Sequence, residues 1–112
     1  MQRRHPPPQP ADRQNLYSGL IRIHILYHAC EEPPIFGSEM IDELRRHGYR
    51  LSPGTLYPLL HSLERRGLLR SREVRNGSRF HREYRATAAG REALRMAKRR
   101  VRELFGEIFE MV

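Results

Sequence analysis

The sequence predicts a mainly α fold with a small β-hairpin, arranged as a winged helix-turn-helix followed by a C-terminal dimerisation helix. Residues 51–67 (LSPGTLYPLLHSLERRG) read as a capped helix with a leucine stripe at Leu56, Leu59, Leu60 and Leu63. Residues 68–86 read as two arginine-rich strands around Asn76-Gly77, a pair that tolerates the positive φ of a tight hairpin turn. Residues 87–112 carry apolar side chains at heptad spacing. A short helix with a basic ribbon beside it has the size and charge to enter the major groove of DNA.

Taken in order, residues 1–12 (MQRRHPPPQPAD) contain prolines 6, 7, 8 and 10, which remove amide donors and favour extended backbone. A disordered N-terminal arm is expected there, either trailing in solvent or touching phosphates through Arg3 and Arg4. The winged unit should span 13–87 and the dimerisation helix 88–112. The first helix, about 13–29, is apolar on two sides: Leu16, Leu20, Ile23 and Tyr27 form one stripe, and Ile21, Ile25 and Leu26 lie off it. Such a helix is usually sandwiched between two partners. Pro33-Pro34 ends that region. The second helix should run from Gly37 or Ser38 to His47, with Met40, Ile41 and Leu44 inward and Gly48 as its C-terminal cap.

In the third helix Ser52 is the expected N-cap and Pro53 the first helical residue, with Pro58 an interior proline that bends or tightens the start. In the hairpin, Val74, Phe80 and Tyr84 are expected to pack one side of the ribbon. Thr87 should cap the last helix, with Gly90 a tolerated weak point. Leu94, Ala97, Val101, Leu104, Ile108 and Met111 are spaced three, four, three, four, three, and Phe105 and Phe109 widen the seam. An apolar face that follows an already complete winged unit calls for a second copy. The dimerisation residues are therefore Leu16, Leu20, Leu94, Val101, Leu104, Phe105 and Ile108.

The net charge of +8 over 112 residues favours a polyanionic partner, since each neutralised phosphate releases counterions. Lys98 is the only lysine, so part of the arginine excess reflects codon usage as readily as function. A lone cysteine, Cys30, and the lack of an apolar run or signal-like N-terminus point to the cytoplasm and away from a membrane. No nucleophile motif, phosphate loop or H-E-x-x-H is present, so an enzyme is not expected.

GTLYPLL at 54–60, LERRGLL at 63–69 and YRATAAG at 84–90, with HIL at 24–26 and FGSEMIDELRRHG at 36–48, resemble the PadR family of transcriptional regulators, in its compact subfamily. The resemblance implies a winged helix with a C-terminal dimerisation helix, acting in repression. Three short pairs depart from the family pattern. Gly37-Ser38 stands where glycine-tyrosine is common, and Glu83-Tyr84 and Ala86-Thr87 stand where a basic-aromatic pair and leucine-threonine are common.

The expected DNA contacts are Thr55, Tyr57 and His61 on the third helix, with Ser52 a cap first and a reader second. On the ribbon they are Arg75 and Arg79 near the tip, then Arg72 and Arg82, against the plain alternative of a solvated hairpin whose Glu73 and Glu83 pair with some arginines. The expected partner is double-stranded DNA with a two-fold-related operator, bound by a homodimer. The rival reading is an architectural or protein-interaction winged helix without sequence choice. No cofactor is required. A regulatory divalent metal at His24, His28 and Cys30, with Glu31 or His47, competes with plain histidines at the dimer junction. An apolar effector could enter between the first helix and the dimerising helices.

Overall fold

A computed structural model describes residues 10–109, with side chains from Leu16 on. The chain forms α1 (Pro10–Ala29), β1 (Ile35–Phe36), α2 (Gly37–Arg46), α3 (Pro53–Arg65), β2 (Leu69–Asn76), β3 (Arg79–Ala86) and α4 (Ala88–Ile108). Helix α1 thus starts within the stretch expected to be a free arm, because a proline fits a first helical turn, where no N–H is needed. Arg3, Arg4 and Met111 lie outside the described residues.

The three strands form one antiparallel sheet in the order β1-β3-β2. β1 was not expected. It is two residues long, directly after two prolines, and too short to show alternation, yet it pairs Ile35 with Tyr84 and Phe36 with Glu83. The hairpin turn is Gly77-Ser78, closed by the Asn76–Arg79 pair, with Gly77 at φ +67°. This is one residue later than Asn76-Gly77. Because side chains alternate with a period of two, register decides the faces. Val74 pairs with His81 and so lies on the face opposite Phe80 and Tyr84, not beside them.

Helix α2 is held at its start by the Glu39 carboxylate, which accepts from the Phe36 N–H at 3.0 Å, and is closed by Gly48 at φ +91°. Ser52 occupies the N-cap position of α3 with extended backbone, but its hydroxyl lies 3.2 Å from Thr55 Oγ1 and makes no cap bond to the helix. Pro58 is held inside an unbroken α3.

The core gathers Ile25, Met40, Leu44, Leu56, Leu60 and Tyr84, all fully buried, with Ile21, Leu26, Leu63, Leu69, Ala86 and Leu94 around them. Full burial of each such aliphatic side chain contributes roughly 1.5–3 kcal/mol. The face of α1 that enters this core is Ile21, Ile25 and Leu26. Its other stripe, Leu16, Leu20 and Tyr27, stays exposed. Leu94 is 7% exposed inside the chain's own core, so the expected intermolecular seam loses its first residue.

At the start of α4, Thr87 Oγ1 accepts from the Gly90 N–H at 3.0 Å and donates to the Gly67 carbonyl at 2.5 Å. The Thr87 N–H also donates to the Leu68 carbonyl at 3.1 Å. Gly90 is buried, and a Cβ there would overlap the Leu68 carbonyl oxygen. It is a required close approach rather than a tolerated weak point. Gly106, on the same helix, has nothing within 4 Å of a Cβ. Gly90→Ala should therefore destabilise by about 1–3 kcal/mol through overpacking, while Gly106→Ala should stabilise by about 0.5–1 kcal/mol through helix propensity. Urea denaturation at one fixed chain concentration measures both, and equal effects at the two sites would contradict the close approach.

Candidate nucleic-acid interface

Leu56, Leu60 and Leu63 anchor α3 and turn Thr55, Pro58, His61 and Arg65 outward, all of them exposed, with Ser52 exposed at the helix start. Arg65, at the end of α3, was not among the expected contacts. The three- and four-residue spacing of Pro58, His61 and Arg65 puts it on the same outward face. Tyr57 is placed differently. It is half-buried, and its ring covers Gly37 so closely that a Cβ at Gly37 would lie 2.7 Å from the phenolic oxygen. The ring fastens α3 to the start of α2 and borders a hollow of about 280 Å³ shared with Ser38, Phe80 and Arg82.

The register of the wing splits the four expected arginines two and two. Arg75 and Arg82 share the face of Tyr84, while Arg72 and Arg79 share the opposite face with His81 and Glu83. Arg75 lies over the Phe80 ring, 5.2 Å from its centroid, a cation–π contact at the tip. Arg82 Nη1 donates to Ser71 Oγ at 3.1 Å. The Ser71 N–H and hydroxyl both donate to Glu64 Oε1 of α3, at 3.1 and 2.7 Å. Arg72 donates through Nε and Nη2 to Glu83 Oε1, at 3.0 and 2.8 Å. Glu73 takes no arginine among the described residues, and Arg79 has no ion pair there. On the outer face Arg70, Arg72 and Arg85 line an open hollow of about 380 Å³ with Ser71 and Glu83, so Arg70 joins the basic surface.

Away from the wing, α1 and α4 expose large apolar side chains alongside the charged residues of α4. Leu16, Leu20 and Tyr27 of α1, Val101, Leu104, Phe105 and Ile108 of α4, and Phe109 at its C-cap are all exposed. A groove of about 330 Å³ between α1 and α4 is lined by Leu20, Ile23, Tyr27, Leu94 and Val101, with His24, His47 and Lys98 at its edge.

Beside that groove His24, His28 and His47 come together, with one nitrogen of each within 4.8 Å of the others. Cys30 is not in the group. It lies two residues beyond His28, where α1 has ended, and it is His47 from the end of α2 that completes the cluster. His28 is buried, its Nδ1 is 2.8 Å from Glu31 Oε1, and its Nε2 has no hydrogen-bond partner. Burial, then His47 and His28, lower the pKa of His24, which favours its neutral form.

The sequence profile of the Transcriptional regulator PadR-like family matches residues 25–96. The chain belongs to this family. It is therefore placed among transcription regulators rather than enzymes. Transcriptional regulator Rv3488 of Mycobacterium tuberculosis (strain ATCC 25618 / H37Rv) is 50% identical over 88 residues, which cover 79% of this chain and 81% of that protein. Among solved structures, a PadR family transcriptional regulator from Eggerthella lenta DSM 2243 is similar with a TM-score of 0.76 at 28% identity, covering 89% of this chain and 88% of that one. A PadR-like transcriptional regulator from Bacillus cereus strain ATCC 14579 shares the fold with a TM-score of 0.77 at 23% identity, covering 86% of this chain and 94% of that one. No helix among the described residues is long and apolar enough to cross a membrane.

In this PadR-family chain the Glu64 carboxylate ties the wing to α3. Glu64→Ala leaves two donors of Ser71 without their acceptor and should lower unfolding free energy by about 1–3 kcal/mol. Hydrogen exchange should quicken at the Ser71 amide more than at the Gly90 amide, which lies outside this network. Unchanged exchange at Ser71 would show that the wing holds its place without Glu64.

Proposed function

We propose that the chain acts as a homodimeric repressor that reads a two-fold-related operator, with α3 in the major groove and the wing on the flanking phosphates or minor groove. The observation that carries this reading is the separation of two surfaces. The outward face of α3 and the arginine wing are mainly polar and basic, whereas α1 and α4 carry most of the exposed large apolar residues. Thr55, His61 and Arg65 face the groove in this arrangement, with Ser52 at its rim and Tyr57 setting the helix position. Arg75 and Arg79 reach the backbone, while Arg72 and Arg82 orient the ribbon through Glu83 and Ser71. The naming of the M. tuberculosis relative as a transcriptional regulator supports the same reading. The α1–α4 groove is suited to an apolar effector that releases the operator, and the site of action is the cytoplasm.

Competition between a promoter fragment from the protein's own locus and random DNA at fixed salt tests sequence choice. A footprint with two related half-sites, one or two helical turns apart, is expected. Equal affinities would favour a non-specific architectural protein.

Arg79→Ala should weaken operator and random DNA by similar factors and reduce the salt slope by up to about one unit, as loss of one phosphate contact requires. Salt titration measures it, and an unchanged slope would return Arg79 to the solvated surface. Leu104 is 53% exposed in the single chain, so a charge there is harmless to the monomer fold. Between two copies it would be an ion inside an apolar seam. Leu104→Glu is therefore expected to give a folded species of the 13.3 kDa chain mass where the parent sediments at twice that mass, with a large loss of operator affinity. A parent that is itself monomeric at low micromolar concentration would overturn the dimer and the two-fold operator together.

A further inference from the structure

We propose that His24, His28 and His47 form a binding site for one borderline divalent metal ion per chain, a zinc-class ion, which clips α1 to the end of α2. The three imidazoles come from two elements distant in sequence, and one nitrogen of each already lies within 4.8 Å of the others. Nitrogen ligands of a tetrahedral zinc ion sit about 2.0–2.1 Å from it, so small ring rotations close this set around a metal. His47 is exposed at the C-cap of α2 and has room to make that rotation.

The second observation is the state of His28. Its side chain is 8% exposed, its Nδ1 is engaged by Glu31 Oε1 at 2.8 Å, and Nε2 is buried with no partner. A carboxylate on one ring nitrogen fixes the tautomer, leaving the other nitrogen as a bare acceptor. This is the arrangement in which histidine binds metal, with the carboxylate raising ligand basicity. The His28 ring stacks on His24 and His47 at centroid distances of 6.3 and 5.8 Å, but stacking leaves its buried Nε2 without a partner, and an unmet polar atom costs about 1–3 kcal/mol. Three imidazole nitrogen donors favour zinc, nickel or cobalt over calcium or magnesium, and a fourth position is left for water. Cys30 has no part in the set.

The site lies where the two working surfaces meet. His28 joins the DNA-reading unit through the core side of α1, while His24 and His47 border the apolar groove between α1 and α4. A metal there would lock the angle between the helix that carries the dimer face and the helix on which α3 packs. As an effector site it rests on the dimeric DNA-binding reading above; as a metal site it does not.

Titration of reduced, tag-free full-length protein with cobalt(II) chloride tests the site without DNA. One equivalent per chain should develop the visible bands of four-coordinate cobalt, and zinc(II) chloride should displace them. His47→Ala, a change at an exposed position, should weaken binding by about 100-fold or more. Glu31→Gln should weaken it by about 10–100-fold, and Cys30→Ser should leave it unchanged. Absence of stoichiometric binding at low micromolar cobalt, or binding indifferent to His47→Ala, would overturn the site. Operator affinity should change by about five-fold or more on adding zinc to the parent and not to the His47→Ala variant. An unchanged affinity with metal bound would overturn the effector role and leave the site. Failure of both apo and metal-loaded protein to prefer an operator would instead count against the DNA reading alone.

Discussion

The junction at Thr87 is the contact on which the arrangement of the whole chain depends. One threonine hydroxyl caps α4 through the Gly90 N–H and at the same time bonds the Gly67 carbonyl at the end of α3, while the backbone beside it holds the Leu68 carbonyl. The turn after the recognition helix, the end of the wing and the first turn of the long helix are thereby fixed to one another within a few ångströms. The absence of a side chain at Gly90 is what allows the approach. A helix that carries its apolar face away from the wing can hold that face at a fixed angle to α3 only if its root does not pivot. A capping hydrogen bond that also spans to a neighbouring element removes that pivot without needing a large core.

The wing shows how hydrogen bonding divides a set of like residues into different tasks. Arg72 and Arg82 are tied to Glu83 and Ser71, and the Ser71–Glu64 pair carries the tie into α3. Arg79 has no acid beside it among the described residues, and Arg75 rests on Phe80. A guanidinium already satisfied by a carboxylate contributes little further attraction to a phosphate, since binding would first break that pair. The guanidinium of Arg79, without an ion pair among the described residues, lies at the tip, and the hydrogen bonds that orient the ribbon lie nearer its base, where it leaves α3. The two demands on a wing, reach and fixed orientation, are met at opposite ends of the same hairpin.

Periodicity made the four helices and the hairpin readable, because burial of a leucine stripe and alternation along a ribbon are local patterns that survive in a single sequence. What was not readable came from contacts between distant residues. β1 exists because β3 offers it a paired edge. The turn moved to Gly77-Ser78 because the register of Asn76 with Arg79 is set along the whole ladder, and that shift put Val74 on the opposite face. Leu94 fits a heptad seam by spacing but lies where α4 still crosses the winged core. The pairing of His24 with His28 followed from helical spacing, with His47 one of two alternatives beside them, whereas the choice of His47 and the absence of Cys30 from the group depend on where α2 ends, a tertiary fact. Gly90 and Gly37 looked like weak points or departures in the sequence. Each is a place where a carbonyl or a tyrosine ring occupies the space of a missing side chain.

Helix α1 connects these parts. Its inner face, Ile21, Ile25 and Leu26, belongs to the winged core, and its outer face, Leu16, Leu20 and Tyr27, belongs to the apolar surface shared with α4. Small chains bury a limited fraction of their surface, so an element that serves two cores is under tension between them. Rotating α1 by even part of a turn to improve contacts with a second copy would withdraw Ile25 from the core. Contacts made on one side of the helix therefore change the energy of those on the other, and that coupling requires no route beyond the helix itself. The histidine cluster lies beside the groove between α1 and α4, where an ion bound by α1 and the end of α2 would resist such a rotation.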